Sequence, residues 1–273
     1  MRLSYSQLSV YRRCPKQYDF MSIRKIPRRM SSGESFGSSI HNTLRKWGEL
    51  EMLREMKIPV KNQLKLFSEQ EDVATHHPPL ELTTLLTMFR SCFIAEGYKN
   101  RATMDEALLR GETLLQSFFQ WWKHEKRTVV SVESGFRLEI QRTDENADTP
   151  IVLTGRFDRI ERIASGLHII DYKTGEKQSQ ELVDSDLQLS IYALAAAKEF
   201  GEPVFALSLL FLSENGIVER TTQRTPSQLS DAMTTIRLLS EGIDRKDFQA
   251  TPTKEKCRSC PYGAICPFKM PLP

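Results

Sequence analysis

Three cysteines close to the C-terminus limit what this chain can fold into more than any other feature. Cys257, Cys260 and Cys266 form a C-x2-C-x5-C cluster in KEKCRSCPYGAICPFK. Pro261 and Pro267 each follow a cysteine directly and Gly263 lies between them, the turn chemistry of a tight ligand loop. A tetrahedral zinc or a cubane iron–sulfur cluster takes four ligands, so the trio is one thiolate short. The chain has two more cysteines, Cys14 and Cys92. Cys14 stands in SVYRRCPKQYDF, again before a proline and among aromatics, whereas Cys92 lies in the apolar helical run LLTMFRSCFIAEGY. A free cysteine packs as a small hydrophobe, so Cys92 is expected in the core and Cys14 is the expected fourth ligand. Spacing alone leaves zinc and iron–sulfur both open. Either would join the two ends of the chain, constraining the unfolded state as a long disulfide does and requiring N- and C-terminal segments that are neighbours.

Other classes are excluded by composition. Five cysteines are an odd number, and MRLSYSQLSV has no apolar stretch behind Arg2, so a disulfide framework and a secretory leader are not expected. The expected location is cytoplasmic. The longest apolar run, Val204 to Leu212, is interrupted by Ser208 and is well short of the roughly 20 residues of a spanning helix, so no membrane partner is expected. With 40% hydrophobic and 27% charged residues, the 273-residue chain has the make-up of a folded globule. Its net charge of +3 is too mild to indicate nucleic acid by itself.

Hydrophobic periodicity orders the chain. Ser4 caps a short helix leading to Cys14, and RKIPRR (Arg24 to Arg29) is a basic turn broken by Pro27, open to two readings, a solvated charge run or a phosphate contact. From Ser35, the positions Ile40, Leu44, Trp47 and Leu50 share one stripe of an amphipathic helix with His41 beside it. Residues 59–127 read as helix-rich, with long periodic segments over roughly 80–98 and 104–126 after the loop ATHHPP, where His76 and His77 have no metal role. Trp121 and Trp122 are expected in the core. After Arg127 the period shifts toward 2. TVVSVESGFRLEIQ, PIVLTGRFDRIERI and GLHIIDYKTG read as three strands of a meander, with turns at Ala147 to Pro150 and Ser165–Gly166. A helix opened by Asp184 or Ser185 ends near Gly201, PVFALSLLFLS is a buried strand, ENG turns into GIVERTT, and TPSQLSDAMTTIRLLSEGID closes as a helix. The class is α/β.

Two of these strands carry carboxylates beside apolar residues, Asp158 and Asp171, where an unpaired charge is costly. In HIIDYKTG, Asp171 and Lys173 are two apart and so point to one face of a strand while Tyr172 points to the other. Two carboxylates can hold Mg2+ or Mn2+, and a lysine beside them can position an attacking water. A buried Asp–Lys ion pair would explain DYK equally well if it stood alone. Gln188 and Tyr192, one helical turn apart, share a face that can reach a phosphate or the nucleophile, and His41 is a further nitrogen ligand. Taken singly, these would be a helix-surface pair and a satisfied histidine.

In this order, GSSIHNTL, GRFDRIE, IIDYKTG, QLSIY and the Cys14 plus Cys257, Cys260, Cys266 set resemble the PD-(D/E)XK nuclease superfamily, in its RecB-type branch with an iron–sulfur clamp. The resemblance spans residues 4–268. It implies a restriction-endonuclease-like core of helix, three-strand meander, helix and strand, with a helical insertion and a C-terminal cysteine clamp packed on the N-terminal helix. The expected division is 1–58 for the N-terminal helices, 59–127 for the insertion, 128–250 for the nuclease core and 251–273 for the iron–sulfur loop. It further implies that His41, Asp158, Asp171 and the Tyr172 carbonyl bind Mg2+ or Mn2+. Lys173 is then the catalytic lysine, Gln188 and Tyr192 complete the site, and Glu133 resembles a further acidic residue sometimes used there. The four cysteines would hold a 4Fe-4S cluster, with Zn2+ as the alternative. The implied activity is metal-dependent exonucleolytic hydrolysis of single-stranded or frayed DNA in repair or recombination. A CRISPR spacer-trimming nuclease and a non-catalytic DNA-end-binding subunit are the alternatives. Glu161 replaces the family's usual final aspartate of the GxxDRxD motif. No G-x4-G-K-[ST] motif occurs, so any helicase or CRISPR or repair partner would be a separate chain.

Overall fold

A computed structural model of the chain describes residues 1–55, 77–125, 127–142 and 149–271. Its centre is a mixed sheet built from β1 (Arg2–Leu3), β2 (Thr128–Ile140), β3 (Ile151–Ile163), β4 (Gly166–Lys173), β5 (Val204–Ser213) and β6 (Gly216–Thr222). The expected meander is present: β2 runs antiparallel to β3 and β3 to β4. β5 then joins β4 in parallel after a helical crossover, and β6 folds back on β5 through a turn that places Gly216 at φ +118°, a conformation that favours glycine.

One edge of β3 pairs with β2 along its whole length. The other is shared, β1 covering Val152–Leu153 and β4 covering Arg159–Ile163. Between those two partners the sheet splits, and the split falls at Asp158. The last β3–β4 pair is Arg159 with Ile170. One step further, where Asp158 and Asp171 would face each other across a ladder, the backbone N–H of Tyr172 donates to the Asp158 carboxylate at 2.9 Å instead.

Helices cover both faces. On one side, α3 (Ser32–Glu55), α4 (Leu82–Cys92) and α5 (Arg101–His124) bury Ile40, Leu44, Trp47, Phe89 and Phe118 against Ile170, Tyr172, Leu210 and Leu212. On the other, α1 (Tyr5–Arg13), α7 (Leu187–Phe200) and α8 (Pro226–Asp244) pack on Ile169, Leu207 and Leu209. Strand alternation on β4 assigns successive residues to opposite cores, which is why this doubly buried strand reads as an apolar run broken by His168, Asp171 and Lys173. α3 approaches β2 closely at Gly48, where an added Cβ would come within 2.5 Å of the Val132 side chain.

Local signals account for most boundaries. Ser4 and Gln7 form a capping box on α1, and Thr225 and Gln228 form another on α8. Gly201 ends α7 at φ +62°, as expected. Several expectations need correction. The helix expected over 80–98 stops at Cys92, because Phe93 turns extended with no glycine or proline to announce it. Cys92 is accordingly half-buried at a helix end, near the Ser91 hydroxyl, and not a core residue. α7 is capped by Asp186 rather than Asp184 or Ser185; the preceding residues form a separate short helix, α6 (Gln180–Asp184). β1, the short helices α2 (Pro15–Tyr18) and α9 (Lys254–Arg258), and a π-helical turn at Asp19–Ile23 were not foreseen. Trp121 and Trp122 are half-buried against the α3–α5 core. His76, Ala147 and Asp148 lie outside the described residues.

Candidate active site

The split in the sheet gathers the polar residues singled out above. From the α3 side, His41 points its Nδ1 at Asp158 Oδ2, 3.3 Å away, with its ring edge-on to Tyr172. Glu133 arrives from β2. One ligand atom from each of His41, Glu133 and Asp158 lies within 4.8 Å of the others, a spacing that fits one hard cation with nitrogen and oxygen donors. Glu133 holds φ at +48°, an uncommon conformation for a residue with a side chain, in the middle of a strand. Burial and the nearby Asp158 raise its carboxyl, which a cation would reverse.

From the α7 side, Gln188 bridges the other pair. Its Oε1 accepts from Lys173 Nζ at 2.8 Å, and its Nε2 donates to Asp171 Oδ1 at 2.8 Å and to the Tyr192 oxygen at 2.9 Å. The Tyr192 hydroxyl lies 3.1 Å from Asp171 Oδ1 and 2.9 Å from the Arg156 carbonyl. Lys173 Nζ sits 2.6 Å from Asp171 Oδ2, an ion pair that engages this buried oxygen.

The titrations follow from this crowding. Burial and the Asp158 charge raise Asp171, with Lys173 and His41 pulling it back. Burial disfavours the Lys173 ammonium, but Asp171, Asp186 and Asp158 together outweigh it and raise its pKa, so the lysine stays charged. A charged lysine donates and orients; it does not accept a proton. His41 is likewise raised, the Asp158 hydrogen bond and the charges of Asp158 and Asp171 exceeding the effect of burial. Burial, then the two aspartates, raise Tyr192 far out of the physiological range, leaving its hydroxyl protonated.

The sequence candidates stand in two groups, His41 and Asp158 with Glu133, and Asp171 with Lys173, Gln188 and Tyr192; Asp171 is not one of the three cation-spaced ligands. A support beneath the site was not foreseen. Arg159, buried beside Asp158, donates to both oxygens of Glu51 on α3 at 2.9 Å each and to Glu161 at 2.6 Å. Arg127 continues the network from Glu161 to Glu219. Removing one partner of such a pair costs about 3–5 kcal/mol, and the pair fixes the height of the helix that carries His41 against the strand that carries Asp158. Glu51 and Arg159 are 108 residues apart, so no local pattern announces them.

The four expected cysteines line one cavity where Cys14 and α2 meet the C-terminal loop. Burial alone would raise the Cys14 thiol, but backbone N–H groups of Thr251, Gln17 and Lys16 bring it below its usual range. Cys260 is raised by burial and by Cys14 and Cys266, offset by the Tyr262 N–H. The Met270 N–H donates to Cys257 Sγ at 3.5 Å. Arg13 ties the two ends together, donating to the Lys256 carbonyl at 2.9 Å and to Ser259.

A split α/β sheet with carboxylates, an imidazole and a charged lysine at the split defines a metal-binding site of the nuclease class. The chain belongs to the PD-(D/E)XK nuclease superfamily, whose model matches residues 2–267. It is similar to the Gene 69 protein of Mycobacterium phage D29, 23% identical over 281 residues, covering 97% of this chain and 96% of that one. It is equally similar to the Gene 69 protein of Mycobacterium phage L5, 23% identical over 291 residues, with 97% and 95% covered. Among solved structures, the crystal structure of SSO0001 matches 68% of this chain and 77% of its own, at 18% identity and a TM-score of 0.41. Membership of this superfamily implies a metal-dependent nuclease, with DNA as the implied substrate. Among the described residues no helix is long and apolar enough to cross a membrane.

Proposed function

We propose that this chain is a divalent-metal-dependent exonuclease that hydrolyses phosphodiester bonds at single-stranded or frayed DNA ends, in repair or recombination in the cytoplasm. The observation that carries this reading is the convergence, at one split in the sheet, of a cation-spaced triad and a charged lysine held by Gln188. His41, Glu133 and Asp158 would hold Mg2+ or Mn2+, with Asp171 and the Tyr172 carbonyl as further donors. The cation supplies charge neutralisation at the scissile phosphate. Lys173 donates to the attacking water or to a phosphate oxygen, and Gln188 fixes the direction of its Nζ. Tyr192 and Gln188 hold Asp171 in place. The buried hydrogen-bonded lysine and aspartate keep the reacting groups oriented before substrate arrives.

The cysteines hold a 4Fe-4S cluster in this reading. The four thiols surround one cavity, and backbone N–H donors reach their sulfurs. The cluster has a structural role, since hydrolysis moves no electrons.

End-labelled single- and double-stranded DNA incubated with the protein and Mn2+, then with EDTA, tests the function. Progressive loss of label that needs Mn2+ is expected, and His41→Gln should raise the Mn2+ concentration for half-maximal rate about tenfold or more. Internal cuts in a covalently closed circle, without any requirement for ends, would overturn the exonuclease assignment.

A further inference from the structure

The basic turn RKIPRR has no role in the site above, yet the structure places it on the cysteine module. The Tyr262 hydroxyl of the cysteine loop donates to the Ile26 carbonyl in the middle of the turn at 3.2 Å, and the Phe20 and Tyr262 rings pack at 5.6 Å. Residues 12–29 and 245–271 together carry thirteen basic and three acidic side chains. The whole chain has 38 and 35, so everything else holds 25 basic and 32 acidic residues and is net negative. The chain's positive charge is concentrated on this one module.

Much of that charge is free. Among the described residues Lys25, Arg29, Arg258 and Lys269 are without an acidic partner, whereas Lys16 and Arg24 pair with Asp19 and Arg28 pairs with Glu34. Next to Lys269 on the cysteine loop Phe268 is 52% accessible, and Ile265 of the same loop is 55% accessible. Unpaired cations next to an exposed ring suit a polyanion whose bases also offer flat faces. An acidic protein would match the charge but gives no reason for the ring.

The turn also leads to the active site. It runs directly into the N-terminus of α3, joined there by the Arg28–Glu34 bond at 2.7 Å, and Gly37 packs against Thr174, next to Lys173. From Ser32 to His41 the helix rises about 13 Å.

We propose that the RKIPRR turn and the cysteine loop form a single-strand holding surface, which grips DNA by its phosphates at Lys25, Arg29 and Lys269 and stacks a base on Phe268. This rests on the nuclease reading but is tested apart from it. A fluorescent oligo-dT 20-mer is titrated by anisotropy in EDTA, where no cleavage occurs, across a range of salt. The Lys25→Glu, Arg29→Glu, Lys269→Glu variant should bind at least tenfold more weakly. The slope of log affinity against log salt should fall by about two, since each lost single-strand phosphate contact is worth about 0.7. Phe268→Ala should weaken binding several-fold with an unchanged slope. Lys25→Arg, Arg29→Lys, Lys269→Arg should bind as the parent does, which separates charge from folding. Equal affinity and slope for the parent and the glutamate variant overturn the surface, as does a parent that does not bind the oligonucleotide at all. A parent that binds it as described but cleaves nothing in Mn2+ would remove the nuclease reading and leave the surface standing.

Discussion

The carboxylate site and the thiol site are built in opposite ways. The first sits where two packed cores meet, its groups carried by long elements and tied by direct bonds: Gln188 to Lys173 and Asp171, Tyr172 N–H to Asp158, Arg159 to Glu51. The second is assembled from chain ends, a four-residue helix, a five-residue helix and turns, with half-buried thiols held by scattered N–H donors. The carboxylate site is a product of the fold. In the proposed reading, the thiol site adds a metal cross-link between chain ends that Tyr11 and Arg13 already join by hydrogen bonds.

The comparison breaks most sharply at the reacting groups. Asp171→Asn and Lys173→Ala should each lower the cleavage rate a thousandfold or more while the thermal midpoint stays within a few degrees, and the double variant should be no worse than either alone because the pair acts as a unit. A folded single variant with near-parental cleavage would remove that residue from the chemistry. The reverse pattern is expected at the thiols. Cys14→Ser should lower stability by a few kcal/mol, as loss of a long-range cross-link does, and should abolish iron and broad absorption near 400 nm as completely as Cys260→Ser. Cys92→Ser should leave both unchanged. A Cys14 variant that kept full metal content would break the comparison at its root.

The smallest effect lies at the joint between the two regions. Glu34 pairs with Arg28 and caps α3 through Ser31. The Arg28 bond, helped by the Ser31 donors and opposed by burial, lowers its carboxyl to about 2. Because the folded value is depressed, the stability it contributes is full above the ordinary carboxylate range and is lost as the pH falls toward 2. Glu34→Gln should therefore cost under about 1 kcal/mol at neutral pH for this half-exposed pair, and the difference from the parent should vanish in acid when urea midpoints are followed against pH. A difference independent of pH would assign the effect to helix propensity.

Period-2 alternation made Asp171 and Lys173 legible as one face, and the i, i+4 spacing made Gln188 and Tyr192 legible as another. What the sequence did not carry was how residues far apart meet. Arg159 finds Glu51 only once α3 lies on β3, and Glu133 joins His41 only through a backbone twist at its own position. Boundaries failed where the signal was degenerate: in Asp184, Ser185 and Asp186 any of three polar residues can cap, and β1 is two residues long. The charge-rich module was visible as RKIPRR, but its partner loop lies more than 200 residues away.

Asp158 holds two positions at once, one in the reaction and one in the sheet, because its carboxylate receives the Tyr172 N–H that β3 no longer serves. An alanine there would strand that N–H at about 1–3 kcal/mol, whereas an asparagine keeps an oxygen in place. A lineage that gave up cleavage would thus drift at this position toward asparagine or serine sooner than alanine or glycine. The retention of an acceptor at position 158 reports on the architecture, and only a carboxylate there reports on the chemistry.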